Sequence, residues 1–272
     1  MALTEAVGEP TPATSPDPRK WDVIDTLRRE HSLSAYAQIL TPSTGEDMHG
    51  RPELTRFGSV TTLRYATDLQ RRSRDDARDL PTIDVLEATL RAHPVCAEIV
   101  FVDSWHSYDD TVRTLDMALA MLSDGGFVVV HDCDPPDAQT ATADPEHYVW
   151  CGVTWRGFVD VTASLPATAE WWVLESDFGV GVIRVQRPSF RQRLTRATQR
   201  RRPDRGQFGR ATRPWSGLSQ RVPGGHDEAW AWFVEHRVEA LHPVSIETWL
   251  DRVARPTPLH RAGTSVPQRG DE

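Results

Sequence analysis

The sequence predicts an α/β fold: a doubly wound, mainly parallel sheet with helices on both faces. Three observations predict it. EIVFVD (98–103) and FVVVHDCD (127–134) are near-continuous apolar strand patterns, and the amphipathic run TVRTLDMALAMLS (111–123) lies between them, closed by Asp124-Gly125-Gly126. A strand-helix-strand unit whose strands lack polar alternation belongs to a parallel sheet covered on both faces. Both strands end in acids, Asp103 and Asp132, and ligands of such sheets bind at the carboxyl ends of the strands.

The remaining elements follow in order. Residues 1–18 are rich in Pro, Thr and Ala and read as a disordered lead. WDVIDTLRRE (21–30) sets Val23, Ile24 and Leu27 at helical spacing. SAYAQILTPSTGEDM (34–48) is a first strand entering a turn, and FGSVTTLRY (57–65) is β-prone. RRSRDDARD (71–79) is a charged loop or helix end. From Pro81, TIDVLEATLRA carries Ile83, Leu86 and Leu90 on one helical face. Gly125 and Gly126 read as the C-cap of the helix before them. TAEWWVLES (168–176) and GVGVIRVQ (179–186) predict an antiparallel hairpin at the sheet edge, and residues 227–254 a long helix, a break at Pro243 and a short second helix.

One domain over 19–186 is expected. An Arg-rich insert follows at 187–222, then helices at 223–255 packing on the same domain and a disordered tail at 256–272. Residues 187–221 hold eleven arginines and one acid, Asp204. Such a run can meet phosphates or cover an acceptor site. Its aromatics, Phe190, Phe208 and Trp215, are not regularly interleaved, which favours a loop against the acidic body over a nucleic-acid site.

A formal charge of −8 gives no overall pull toward nucleic acid or an anionic membrane. Three cysteines, at no metal-ligand spacing, point to a reducing compartment. With no apolar run near the ~20 residues of a membrane span and no basic, apolar leader, the expectation is cytoplasmic. The expected partner is a small-molecule acceptor, with no membrane; a homo-oligomer stays open. The one lysine, Lys20, amid thirty arginines reads as coding bias.

VFVDSWHSYDDTVRTLDMALAMLSDGGFVVVHDCDPP (100–136) resembles a subgroup of class I S-adenosylmethionine-dependent methyltransferases, patterned as D-x-x-H-x-Y, helix, GG, strand and HDC-x-PP. The matching residues are Asp103, His106, Tyr108, Gly125, Gly126, His131, Asp132, Cys133, Pro135 and Pro136. SDFGVGVIR (176–184), WFVEHRVEALHPVSIETWL (232–250) and WCGVTWRGFVD (150–160) resemble further segments, the last with Arg156 in place of a lysine. The resemblance implies a Rossmann-like class I methyltransferase fold, S-adenosylmethionine as cofactor and a hydroxyl of a sugar or secondary metabolite as acceptor.

On that reading Asp103 and Asp132 are suited to hold a divalent cation, with Mg²⁺ as a candidate second cofactor. Asp103, His106 and His131 are the candidate catalytic residues, and either histidine could take the acceptor's proton. Asp103 is also open as a helix N-cap, and His131 as a packed, satisfied histidine. Trp105, Tyr108 and Trp155 stand as candidate acceptor-pocket aromatics or as packing.

The first strand departs from the family pattern. Gln38 stands where the family has an acid and Leu40 where it has a glycine, while Gly45 survives. Gln38, Thr41, Gly45 and Asp103 are the candidate cofactor contacts. For the ribose acid, Ser59 or Thr61 takes the expected place, with Asp68, Glu53 and Asp47 as substitutes. The alternative expectation is a methyltransferase-like protein that has lost the cofactor and acts as a binding or scaffold partner, or runs metal-assisted chemistry without methyl transfer.

Overall fold

The computed structural model describes residues 18–42, 53–145, 149–165, 169–185 and 225–254. Seven strands form one sheet in the order β2-β1-β3-β4-β6-β5-β7: β1 (Ala35–Leu40), β2 (Ser59–Arg64), β3 (Ala97–Asp103), β4 (Leu122–Val130), β5 (Ala169–Leu174), β6 (Val180–Val185) and β7 (Pro243–Val244). β2, β1, β3 and β4 run parallel, and β6 is antiparallel to both of its neighbours. The sheet is therefore Rossmann-like, with one reversed strand. The helices are α1 (Lys20–His31), α2 (Asp68–Ser73), α3 (Ile83–Ala92), α4 (Tyr108–Met121), α5 (Thr154–Ala163), α6 (His226–Leu241) and α7 (Ile246–Ala254).

Both faces are covered, as continuously apolar strands require. Alternation along β1 divides the core: Tyr36 and Leu40 join Trp21, Ile24 and Leu27 of α1 and Trp249 of α7, whereas Ala37 and Ile39 face the cluster built with α4, α5 and α6. The Glu98 carboxylate accepts the N–H groups of Ser34 (2.6 Å) and Ala35 (2.9 Å), fixing where β1 starts beside β3. In this register Leu40 lies opposite Asp103, so the last residues of β1 and β3 share one carboxyl edge.

Two expectations change. Gly125 and Gly126 do not cap α4, whose C-cap is Leu122 in extended conformation. They belong to β4, where the pairing with β3 skips from Ala97↔Leu122 to Ile99↔Phe127, and Gly125 takes a φ of +78° in that bulge. The predicted hairpin forms, but not at an edge: Phe127–Val130 of β4 pairs with one side of β6, and β7 lies beyond β5. The charged stretch at 71–79 holds the end of α2 and a single 3₁₀ turn, Asp75–Ala77. The Arg-rich insert at 187–222 lies outside the described residues, as do nearly all of the N-terminal lead and the whole of the tail.

Candidate functional site

Six charged or titratable side chains meet at the carboxyl edge. Asp103 ends β3, His106 lies in the loop from β3 to α4, His131 and Asp132 follow β4, and Asp177 precedes β6. The sixth is Lys20, the first residue of α1. Its Nζ lies 3.0 Å from Asp103 Oδ2 and 3.3 Å from His131 Nδ1, and its backbone N–H donates to Asp177 Oδ2 at 2.9 Å. A carboxylate at a helix N-terminus is favourably placed against the exposed amides and the macrodipole.

Each histidine lies among carboxylates. His106 Nε2 is 3.1 Å from Asp132 Oδ2 and 3.5 Å from Asp103 Oδ1. His131 Nδ1 is 3.0 Å from Asp132 Oδ2 and 3.7 Å from Asp103 Oδ2, with its Nε2 3.4 Å from Asp177 Oδ2. Burial opposes the charge of His131, but Asp132 and Asp103 carry its pKa up to about 10. Burial also works against His106, which the same two carboxylates nonetheless hold above the usual histidine value. Burial would raise the Asp103 carboxyl; Lys20, then the histidines, keep it well below the carboxylate range. Against its burial, His131 and Lys20 hold Asp177 down at about 2. The charges thus support one another in a nearly dry space.

Three buried atoms of this group lack a hydrogen bond: Asp103 Oδ1, His106 Nε2 and His131 Nε2. They are close to opposite charges without the in-line geometry of a bond. Buried polar atoms are rarely left so, and a cluster of them marks a place where a ligand's polar groups would fit.

Local structure aims His106. Its Nδ1 lies 2.7 Å from the Trp150 carbonyl oxygen, which can only accept, so Nδ1 carries a proton. Gly152 brings that segment in. A Cβ there would be 2.3 Å from His106 O and 2.5 Å from His106 Cβ, and its φ is +59°. Val153 N donates to His106 O at 2.9 Å. Trp150 lies over the His106 ring (centroids 5.0 Å apart) and against Trp105 (4.7 Å).

Of the expected site residues, Asp103, His106, His131 and Asp132 come together. Asp103 caps no helix, because Ser107 is the N-cap of α4 and accepts from Asp110 N. Thr41 is buried directly after Leu40, on the same edge. Gln38 is fully buried, and its amide is engaged internally: Oε1 accepts from Tyr36 Oη (3.1 Å) and Nε2 donates to Thr62 Oγ1 (2.9 Å). As placed, it cannot serve as a cofactor contact. Gly45 and Asp47 lie outside the described residues. β2 ends at Arg64, and Asp68 is an exposed residue in the first turn of α2.

The three aromatics separate. Trp155 is core, stacked on Trp232 and packed on Phe233. The Tyr108 hydroxyl donates to Asp160 at the surface. Trp105 alone is beside His106. The sequence alone assigns no site role to Lys20, Asp177, Trp150 or Gly152. Lys20 had one available signal, its being the sole lysine of the chain; Gly152 had the W-x-G pattern.

Asp103, His131 and Asp132 each offer a ligand atom within 4.8 Å of the others. This set does not fit Mg²⁺. Mg²⁺ prefers about six oxygens in octahedral array, whereas one of the three donors is a nitrogen, and the Lys20 ammonium is already bonded to Asp103 Oδ2. Cys133 and Cys151 are buried thiols, driven by that burial far above the range in which a thiolate forms. No helix among the described residues is long and apolar enough to cross a membrane.

No family model and no curated protein matches this chain. Among solved structures it is similar to an O-methyltransferase from Bacillus cereus in complex with S-adenosylhomocysteine, at 13% identity over 65% of this chain and 84% of that one, with a TM-score of 0.42. It is also similar to a methyltransferase from Podospora anserina bound to S-adenosylhomocysteine (17% identity, 62% and 78%, TM-score 0.41). A third is an O-methyltransferase of tomaymycin synthesis from Streptomyces achromogenes, bound to S-adenosylmethionine (18%, 60% and 78%, TM-score 0.38). These are likenesses of chain course.

Proposed function

We propose that this chain is an S-adenosylmethionine-dependent methyltransferase that O-methylates a hydroxyl of a small molecule, a sugar or a secondary metabolite, in the cytoplasm. The observation that carries the reading is one arrangement: at the carboxyl edge of adjacent parallel strands, Asp103 has an unpartnered oxygen and His106 an unpartnered ring nitrogen 3.5 Å away. A carboxylate to hold the cofactor's ammonium and a base to take the hydroxyl proton are what the reaction asks of the protein at that edge.

One residue is suited to the cofactor: Asp103 Oδ1 is an acceptor for its ammonium. Thr41 is buried on the same edge, and Gln38 contributes nothing. Bound there, the cofactor would supply an electrophilic sulfonium methyl group for the acceptor oxygen. His106 Nε2 takes the hydroxyl proton. The Trp150 carbonyl holds the opposite ring nitrogen protonated, leaving the lone pair on Nε2 when the ring is neutral, and Asp132 and Asp103 stabilise the imidazolium that forms. Trp150, against the His106 ring, and Trp105, packed on Trp150, supply apolar faces against which a sugar or an aromatic acceptor can lie. In-line displacement needs little beyond this positioning and proton removal.

Calorimetric titration with S-adenosylmethionine and S-adenosylhomocysteine tests the reading. One site for each is expected, and no heat from either at millimolar ligand would sink it. His106→Ala is expected to keep cofactor binding and lose turnover; unchanged turnover would remove the assignment of His106 as base.

A further inference from the structure

We propose that Lys20 is the resident cation of this site: its ammonium holds the place a divalent metal would take, so the intact chain excludes a metal there and a chain without the lysine admits one. The inference does not depend on methyl transfer.

Four observations carry it. The donor atoms of Asp103, His131 and Asp132 lie within 4.8 Å of one another, the spacing of a half-shell around an ion. Lys20 Nζ donates to Asp103 Oδ2 at 3.0 Å and lies 3.3 Å from His131 Nδ1, so it stands against two of those three residues. The lysine is only 7% exposed and is not free to withdraw, because its own N–H is bonded to Asp177 and the Pro18 carbonyl before it accepts from Ser176 Oγ. Finally, the choice of residue fits the place. Among thirty arginines this position alone carries lysine. A compact ammonium fits a single carboxylate oxygen in the narrow space beside the His131 ring, whereas a planar guanidinium is built for forked pairing. The ammonium also lies 5.0 Å from the Trp21 ring centroid, so the next residue of α1 helps to close the space.

The consequence is a site whose positive charge is covalently fixed. A hydroxyl or carboxylate entering beside Asp103 would meet Lys20 in place of a Lewis-acidic ion, and the charge would not be lost to chelators.

Titration of the full chain with Mn²⁺, reading free Mn²⁺ by electron paramagnetic resonance without cofactor present, tests this. Mn²⁺ is the probe because it accepts carboxylate and imidazole donors together. Wild type is expected to leave millimolar Mn²⁺ free. Lys20→Ala is expected to bind one Mn²⁺ per chain at least tenfold more tightly, and Lys20→Ala with Asp132→Asn to lose that gain. If Lys20→Ala melts near the assay temperature, Mn²⁺ should raise its melting temperature and leave that of wild type unmoved, since a ligand that binds only the folded state stabilises it. Two results would overturn the proposal: wild-type Mn²⁺ binding that is lost in Asp103→Asn, or Lys20→Ala that neither binds Mn²⁺ nor is stabilised by it.

Discussion

Lys20 Nζ and Asp103 Oδ2 are 3.0 Å apart across 83 positions of sequence, both nearly sealed from solvent. The pair ties the first turn of α1 to the end of β3. Removing one partner of a buried ion pair leaves an uncompensated charge and typically costs about 3–5 kcal/mol. Lys20→Met and Asp103→Asn are therefore each expected to destabilise strongly, and the double variant by clearly less than the sum. Urea denaturation of the four proteins checks this. Additivity within ~0.5 kcal/mol would show the two residues to be uncoupled.

Gly152 is a second point at which the site is sensitive. Alanine there would place a Cβ 2.3 Å from His106 O at a φ of +59°. The left-handed backbone costs about 1–2 kcal/mol and the overpacking a further ~1–3 kcal/mol. Gly152→Ala is expected to lower the melting temperature and to displace His106, losing turnover beyond what the loss of fold explains. Gly58→Ala, where the nearest atom to the new Cβ is 3.6 Å away, should change neither.

The contrast between these residues shows what was legible in the sequence. The apolar continuity of β3 and β4 and the period of α4 report burial directly, so the parallel unit and its acidic strand ends could be read without coordinates. Gly125-Gly126 after a helix is chemically indistinguishable from a C-cap; only pairing with β3 turns it into a bulge. Gln38 was legible as a departure, but not its bonds to Tyr36 and Thr62, which depend on register. Lys20 reads from the sequence only as coding bias, because nothing local reports a carboxylate 83 positions away. Trp155 shares the aromatic character of Trp105, yet burial against Trp232 and Phe233 assigns it to the core.

His131 links stability to pH. Its pKa is raised to about 10 by Asp132 and Asp103 against the pull of burial, so the folded state holds this proton more tightly than the unfolded chain does. The stabilisation is whole below the unfolded value of about 6.5 and is lost as pH climbs through about 10. The melting temperature is expected to fall between pH 7 and pH 10 and to fall less steeply in His131→Gln. Scanning calorimetry across that interval checks it; parallel curves would show that His131 does not carry the dependence.

His106 links activity to pH with the opposite sign. The base must begin neutral, whereas Asp132 and Asp103 favour its protonated form and overcome the opposing effect of burial. Turnover is therefore expected to rise with pH through a midpoint above the ordinary histidine value of about 6.5. Asp132→Asn removes one of the two carboxylate influences and should move that midpoint down, even where it also lowers the maximal rate. The readout is kcat against pH under saturating cofactor and acceptor. A profile flat from pH 6 to 9, or a midpoint unmoved in Asp132→Asn, would mean that the acceptor's proton leaves by a route other than His106.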